Sequence, residues 1–256
     1  MKVDENTILA IDVGNSSIHW AFIENGKFEN YTRNKHTELS FLPWEEIKQK
    51  SIPVVIAGAL NHINQAVQDI TNDYKIKFIE LDTDNQSVIK NTYSTLGIDR
   101  VCNLIAALDH FPKAKEPLIV FDFGTATTIT ACDEYGNFLG GMIKTGFEVE
   151  LKAISSKTLS LPHVELAKEQ KIKKLNPLTQ NTEDAILHGV IIGQVALIDY
   201  YLNLFKSEGQ KQPKLIFTGG NSSIIKRFYK NIDLFDPHLT LKGTYLCYKS
   251  LVMQKV

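Results

Sequence analysis

The chain has 256 residues and a formal net charge of −1, with 43% hydrophobic and 22% charged residues. These values are typical of a globular protein with one or two domains, and the lack of a basic stripe argues against nucleic-acid binding. The three cysteines lack the CxxC spacing of a zinc site and are predicted to be buried, reduced thiols. The N-terminus does not resemble a signal peptide, and no apolar run approaches the ~20 residues that span a bilayer. We therefore predict a cytoplasmic protein with no membrane partner.

An internal repeat relates two stretches of the chain. Residues 8–28 (ILAIDVGNSSIHWAFIENGKF) align without a gap with residues 118–138 (LIVFDFGTATTITACDEYGNF). In each copy an apolar strand ends in Asp-x-Gly, a second strand follows, and an x-Gly pair supplies a hairpin turn before a third strand. Each copy is therefore predicted to begin with a three-stranded meander whose first turn carries a carboxylate, Asp12 or Asp122.

The rest of the chain alternates strands and helices. The predicted elements are a strand over 53–58, a helix over 99–108, a helix over 183–206 capped by Thr182, and a strand over 214–217 that runs into Thr218-Gly219-Gly220. The polar, proline-bounded stretch 112–117 indicates a connector, so the predicted halves are 1–114 and 115–256. The lysine-rich segment 165–181 is predicted to be a surface loop, with a mobile lid as the alternative.

The two Asp-x-Gly turns together favour a nucleotide site. A carboxylate at a strand end can hold a divalent cation, and glycine lets backbone amides approach phosphate oxygens. One such turn is more often a plain hairpin, but its repetition at the same position favours a site shared by both halves. Thr218-Gly219-Gly220 is a weaker candidate for the loop on the adenosine side. The P-loop and dinucleotide-binding glycine motifs are absent from the sequence.

A third candidate segment, Gly97-Ile98-Asp99-Arg100, begins the predicted helix over 99–108. Two interpretations are open from the residues alone. Asp99 is either a helix N-cap, with Arg100 as a surface charge, or a general base, with Arg100 binding an anionic group of the substrate.

Three motifs in this order resemble those of a known family: Asp12-Val13-Gly14-Asn15-Ser16, Gly97-Ile98-Asp99-Arg100 and Asp122-Phe123-Gly124-Thr125-Ala126-Thr127-Thr128. With them the chain resembles the type III pantothenate kinases over nearly its whole length. The resemblance implies an α/β protein with the duplicated ribonuclease-H-like (actin-like ATPase) fold, in which two mixed-sheet halves flank a central cleft. It also implies ATP-dependent phosphorylation of pantothenate to 4′-phosphopantothenate, the first step of coenzyme A biosynthesis.

The resemblance further implies residue roles. ATP would contact the residues of the first turn and one residue of the second, namely Asp12, Val13, Gly14, Asn15, Ser16, Ser17, Ile18, His19 and Thr125. Pantothenate would be held by Gly97, Ile98, Asp99, Arg100 and Thr182, with Asp99 as the general base. Asp122 would bind a monovalent cation, K⁺ or NH₄⁺, and Mg²⁺ would accompany ATP. Because the family is dimeric, the implied partners are pantothenate, ATP and a second copy of the chain.

Two positions depart from the family pattern. His19 stands where lysine is usual, and Thr145-Gly146 stands where Pro-Gly is usual. A neutral imidazole is a poorer partner for phosphate than lysine. Two alternatives therefore stay open: a non-catalytic transcription accessory factor with the same fold, and another actin-like small-molecule kinase.

Overall fold

The computed structural model describes residues 7–253, which divide into two compact units. Within that range, unit 1 comprises 7–112, 135–138 and 238–253, and unit 2 comprises 113–134 and 139–237. The chain first passes from unit 1 to unit 2 at 112–113, beside the predicted boundary at 114–115. The C-terminal segment was predicted to belong to the second half, but 238–253 belongs to unit 1.

Unit 1 is built on a mixed sheet with the strand order β3-β2-β1-β4-β5. Its strands are β1 (Thr7–Val13), β2 (Ile18–Glu24), β3 (Lys27–Asn34), β4 (Val54–Gly58) and β5 (Phe78–Glu80). β1, β2 and β3 form the predicted antiparallel meander, whereas β4 runs parallel to β1, and β5 parallel to β4. The central position of β1 explains its continuous apolar run, since a strand covered on both faces needs apolar residues on both.

Unit 2 repeats this topology. Its strands are β6 (Leu118–Phe123), β7 (Ala126–Cys132), β8 (Phe138–Thr145), β9 (Lys214–Thr218) and β10 (Leu234–Phe235). Their order, β10-β9-β6-β7-β8, is that of unit 1 counted from the other edge. β6 pairs antiparallel with β7 and parallel with β9, as β1 pairs with β2 and β4. The internal repeat of the sequence is therefore also a repeat of sheet topology.

Within 7–253 the α-helices are α1 (Trp44–Gln49), α2 (Asn61–Tyr74), α3 (Ile98–His110), α4 (Phe147–Lys157), α5 (Thr182–Ser207), α6 (Ser222–Phe228) and α7 (Leu239–Met253). Short 3-10 helices span His36–Phe41, Thr83–Asn85 and Leu166–Lys171. The predicted cap of α5 was wrong by one residue. Asn181, in extended backbone conformation, caps the helix by accepting the Asp184 N–H at 2.9 Å, and Thr182 is the first helical residue.

Helix α7 belongs to unit 1 because it packs along α3. Both helices bury most of their residues. The Thr240 hydroxyl donates to Asn103 Oδ1 at 3.0 Å, and the Thr244 hydroxyl lies 3.9 Å from Cys102 Sγ. These polar contacts fix how α7 lies on α3 inside an otherwise apolar layer. All three cysteines are buried, as predicted.

Helix α5 is the long core helix of unit 2. Among the described residues it is also the helix whose length and mean hydropathy, 1.5 over an 18-residue window, fit a candidate membrane span. Ile191 and Ile198 on this helix are 0% exposed and pack into the hydrophobic core of the unit. Burial of this face in the core therefore accounts for much of its apolar character.

The segment 165–181 is not the plain surface loop that its composition predicted. It contains the 3-10 helix Leu166–Lys171, in which Glu169 is buried and forms an ion pair with Arg227. Arg227 also donates to the Ile172 carbonyl at 2.7 Å, and Ile172 packs into the core of unit 2. The lysines stay exposed, but the backbone between them is anchored.

Candidate active site

The first Asp-x-Gly turn follows β1 in unit 1. Asp12 and Val13 end the strand, and the Gly14 N–H donates to the Ser17 carbonyl at 3.1 Å. The His36 Nε2 lies 2.8 Å from the Gly14 carbonyl oxygen. A carbonyl can only accept, so His36 carries a proton on Nε2 and donates it. This imidazole, from the 3-10 helix after β3, therefore holds the turn in place.

The predicted ATP contacts in this turn differ in what they can offer a ligand. Asn15 and Ser16 are exposed at the tip. Val13 and Ile18 are buried in the core of unit 1, at 1% and 0% exposure. Apolar side chains in a close-packed core do not turn outward, so these two residues have only main-chain atoms to present to a phosphate.

His19 lies in a hydrogen-bonded group that the sequence analysis missed. Its Nε2 is 3.0 Å from Ser17 Oγ, and its Nδ1 is 3.1 Å from the Tyr31 hydroxyl. Arg33 Nε donates to the same Ser17 Oγ at 3.1 Å. Burial, together with the charges of Arg33 and His238, lowers the pKa of His19 to about 4. His19 is therefore neutral near pH 7 and adds no positive charge to the turn.

Strand register explains why these residues meet. His19 pairs with Asp12 on β1 and with Arg33 on β3. Residues directly opposite each other in antiparallel strands share a face of the sheet, so the three side chains form a row. The sequence indicated where β3 begins, near Phe28, but not its register, and a bulge shifts the pairing of β2 with β3 between Trp20 and Phe22.

The segment Gly97–Arg100 begins helix α3. Gly97 is the N-cap, so Asp99 lies inside the first turn, and the interpretation of Asp99 as the cap was wrong. Asp99 is half-buried, and its carboxylate accepts the Arg100 backbone N–H. Burial raises the pKa of Asp99, and this hydrogen bond and the Arg100 charge only partly offset it. A carboxylate with a raised pKa is a stronger base than an exposed one, which suits proton abstraction.

Arg100 is not a surface charge, because it is only 4% exposed. Its Nη1 donates to the Tyr93 hydroxyl at 3.1 Å. Tyr93 is 46% exposed, so the pair presents an aromatic hydroxyl to solvent beside a buried guanidinium. Tyr93 was missed because nothing in the local sequence links it to helix α3, which begins five residues later at Ile98.

The second Asp-x-Gly turn follows β6 in unit 2. The Gly124 N–H donates to the Ala126 carbonyl at 3.1 Å, so the glycine closes this turn two residues on, whereas Gly14 closes the first turn three residues on, at Ser17. Thr125 is exposed at the tip, where a ligand can reach its hydroxyl. The turn is held from outside by the Gly146 N–H, which donates to the Thr125 carbonyl at 3.0 Å.

The surroundings of Asp122 fit an oxygen-bound cation. Asp122 pairs with Thr218 on β9, so their side chains share a face of the sheet. The Thr218 hydroxyl is buried and makes no hydrogen bond to the described residues. Such a hydroxyl costs free energy that a bound ion would recover. A carboxylate beside a neutral oxygen is a donor set for a hard cation, which K⁺ and Mg²⁺ both are.

The loop after β9 lies against the same carboxylate. Gly219 has φ +89°, and a Cβ there would lie 2.3 Å from Asp122 Oδ1. Beyond it, a depression of about 280 Å³ is lined by Gly220, Asn221, Ser223, Ile224, Leu166 and Ala167, together with the two carboxylates Glu148 and Glu169. This mixed apolar and polar lining is suited to the flat face and polar edge of a nucleobase.

Thr145, where the family usually has proline, is held by its neighbours. Its carbonyl accepts from Gln194 Nε2 at 3.0 Å, and its hydroxyl donates to Glu150 at 3.4 Å. Gln194 is itself 0% exposed. These contacts restrict the backbone at the position where a proline ring would otherwise do so, and Gly146 follows directly.

The predicted substrate contact Thr182 is exposed at the N-terminus of α5. It lies in unit 2, together with Asp122 and Thr125, whereas the first turn and Gly97–Arg100 belong to unit 1. The predicted site residues therefore form two groups, one in each unit.

A model of the type III pantothenate kinase family matches residues 8–203. Among solved structures, one from Campylobacter jejuni, described as a Baf family transcriptional activator, is 21% identical, with coverage of 97% of this chain and 98% of that chain and a TM-score of 0.61. A Sinorhizobium meliloti protein described as a 2-dehydro-3-deoxygalactonokinase is 13% identical (96% and 99% covered, TM-score 0.58). The activator of 2-hydroxyisocaproyl-CoA dehydratase from Clostridium difficile, with bound ADPNP, is also 13% identical (97% and 97%, TM-score 0.54). These likenesses confirm the predicted duplicated ribonuclease-H-like fold of the actin-like ATPases.

Proposed function

Because this chain belongs to the type III pantothenate kinase family, we propose that it transfers the γ-phosphoryl group of ATP to the 4′-hydroxyl of pantothenate. The observation that carries the proposal is the first turn of α3. There a half-buried carboxylate, Asp99, precedes a buried guanidinium, Arg100, which is bonded to the exposed Tyr93. A base and an anion-binding group on one rigid helix suit a substrate with both a hydroxyl and a carboxylate.

The proposed reaction is an in-line displacement. The 4′-hydroxyl oxygen attacks the γ-phosphorus, Asp99 takes the hydroxyl proton, and the bond from the γ-phosphorus to the β–γ bridging oxygen breaks to release ADP. Arg100 binds the pantothenate carboxylate, and Thr182 is a further substrate contact. Phosphoryl transfer depends mainly on such positioning and on charge neutralisation.

The phosphates are assigned to the two Asp-x-Gly turns. Asn15 and Ser16 offer side-chain donors, the first turn offers backbone amides, and Thr125 offers its hydroxyl. Asp122 is proposed to hold a monovalent cation, K⁺ or NH₄⁺, and Mg²⁺ is proposed to accompany ATP at the Asp12 turn. When bound, these ions neutralise phosphate charge.

The proposal includes a homodimer. Ala185, Gly189, Gly193, Ala196 and Tyr200 recur along α5 at three- and four-residue intervals. Tyr200 is 60% exposed, and a Cβ built at Gly189 or at Gly193 has no neighbour within 4 Å. A stripe of small residues ending in an exposed aromatic ring lets a second helix approach closely. A cytoplasmic location without a nucleic-acid partner is in keeping with the net charge of −1.

The test is a coupled assay for ADP release by the purified protein, with ATP and Mg²⁺, in K⁺ or in Na⁺, with and without pantothenate. ADP release that requires pantothenate and is faster in K⁺ is expected. Asp122→Asn is expected to remove the difference between K⁺ and Na⁺. Asp69→Asn, which removes an exposed carboxylate from α2, is the matched control and is expected to behave as wild type.

A non-catalytic role is the second candidate, favoured by the neutral His19 where lysine is usual. It predicts that a folded protein at millimolar ATP releases no ADP with pantothenate or with any other hydroxyl acceptor. Turnover with a different acceptor alone would instead point to another small-molecule kinase of this fold.

A further inference from the structure

The first Asp-x-Gly turn, which is proposed to bind ATP phosphates, has no positively charged side chain of its own. Residues 12–19 contain no lysine or arginine, and His19 is neutral near pH 7 because burial lowers its pKa to about 4. Asp12 adds a negative charge at the start of the turn. A nucleotide triphosphate is strongly anionic, so a turn that binds its phosphates needs positive charge from elsewhere.

Arg33 is the cation that the fold brings to this turn. It lies opposite His19 in the register of β2 and β3, in the same row as Asp12. Its Nε donates to Ser17 Oγ at 3.1 Å, inside the segment that closes the turn. Arg33 is exposed to solvent on β3, so a ligand at the first turn can reach its guanidinium.

The Nε bond also leaves binding capacity. A guanidinium has five N–H donors, and four of them are on the two terminal amino groups. Arg33 makes no other hydrogen bond or ion pair with residues in the described part of the chain. The single Nε bond fixes the plane of the group and leaves the fork that binds phosphate oxygens in pairs.

Neighbouring groups keep His19 from competing for this role. Tyr31 bonds to His19 Nδ1 at 3.1 Å, and the Tyr31 ring lies 3.9 Å, centroid to centroid, from the His238 ring. With Ser17 on its Nε2, His19 has both ring nitrogens in hydrogen bonds. The neutral imidazole of His19 therefore lies between Asp12 and Arg33 in the row and adds no charge to it.

We propose that Arg33 binds the phosphates of the nucleotide at the first turn, in place of the lysine that the turn lacks. The inference rests on the proposed function for the identity of the nucleotide. It adds to that function a binding residue from outside the turn. A purely structural Arg33 would instead serve only to anchor Ser17.

The experiment compares wild type with Arg33→Gln, Arg33→Lys and the double variant Arg33→Gln/His19→Lys. ATP affinity is measured by calorimetry without pantothenate, and KM for ATP, KM for pantothenate, kcat and Tm are measured separately. Lys27→Gln removes an exposed charge from the other end of β3 and is the matched control. Arg33→Gln keeps an amide donor for Ser17 but not the charge.

Arg33→Gln is expected to weaken ATP binding about 10- to 100-fold, as the loss of a charge-assisted hydrogen bond predicts. KM for pantothenate and Tm should stay near wild type. Arg33→Lys should retain most of the affinity, and the double variant should recover it at least in part because the charge returns at position 19. A structural role predicts no such recovery.

Three results would overturn the inference: ATP affinity of Arg33→Gln within twofold of wild type, failure of the folded double variant to regain affinity, or a wild-type protein that does not bind ATP. If wild type binds ATP in an Arg33-dependent way but does not phosphorylate pantothenate, the proposed function fails while the inference stands. If wild type turns over and Arg33→Gln keeps its KM for ATP, the inference fails alone.

Discussion

Replacing Gly146 by alanine is expected to distort the second Asp-x-Gly turn, which is proposed to bind ATP phosphates. A Cβ at this position would lie 2.4 Å from the Gly124 carbonyl oxygen and 2.5 Å from the Thr125 carbonyl oxygen. Both are backbone atoms, so neither can rotate away as the end of a side chain can. An ordinary contact begins near 3.4 Å, which requires the turn to move by about 1 Å relative to α4.

The size of that shift sets the expected loss. A misplacement of about 1 Å at a reacting group costs roughly 100-fold in rate. Overpacking costs roughly 1–3 kcal/mol of folding free energy, which lowers Tm by roughly 2–12 °C for a chain of this size. The variant should therefore stay folded at 25 °C while kcat/KM for ATP falls about 100-fold.

Steady-state ADP release and thermal melting measure the two effects. Lys152→Ala introduces an alanine at an exposed position of the same helix α4 and should change neither. Calorimetry with ATP alone is expected to show weaker binding in Gly146→Ala, whatever the phosphate acceptor is. Activity and ATP affinity within threefold of wild type would refute the idea that this contact positions the turn.

Four further predictions concern Asp99 and helix α5. Asp99→Asn should lower kcat about 10²–10⁴-fold as a general base is lost, and a loss below threefold would contradict that role. Because burial raises the pKa of Asp99 in the folded state, its contribution to stability is full below its unfolded pKa and is lost as pH rises through the folded pKa. Asp99→Asn should therefore raise Tm at pH 7, with a smaller gain below pH ~4 in pH-dependent melts. For wild type, the acid limb of kcat/KM should titrate above the usual aspartate value of 3.8. If the proposed homodimer forms through the stripe on α5, Gly193→Leu should give a stable monomer in light scattering, since leucine favours the helix but fills the open stripe; a mass unchanged from that of a wild-type dimer would contradict this contact.

Much of the fold could be predicted from local sequence patterns. The apolar runs before Asp12 and Asp122, and the x-Gly hairpins after the second strands, specify the two meanders without reference to the rest of the chain. The second strand of each meander, predicted over 18–23 and over 127–132, lies within one residue of the observed β2 and β7. A central strand that is buried on both faces has a continuous apolar run, and this run can be recognised in the sequence.

Other features depend on residues distant in the chain. Helix α7 has apolar residues on several sides, so its sequence does not specify its partner. Its attachment to α3 depends on contacts such as Thr240 with Asn103, which are far apart in the sequence. The lysine-rich segment 165–181 was misjudged for the same reason, because its anchor, Arg227, lies 58 residues after Glu169 in the chain.

The candidate site also combines features that local sequence specifies with features that depend on residues distant in the chain. The carboxylates and turns of the site could be predicted from the sequence, because Asp-x-Gly and Gly-x-Asp-Arg are local motifs. The charges that surround them depend on the folded structure. Arg33 meets Ser17 through strand register, and Tyr93 meets Arg100 because the loop that directly precedes α3 places its hydroxyl beside the first turn of the helix. Burial also lowers the pKa of His19 and raises that of Asp99. A local motif fixes the type of each chemical group, whereas its charge state depends on desolvation and on neighbours that only folding brings close.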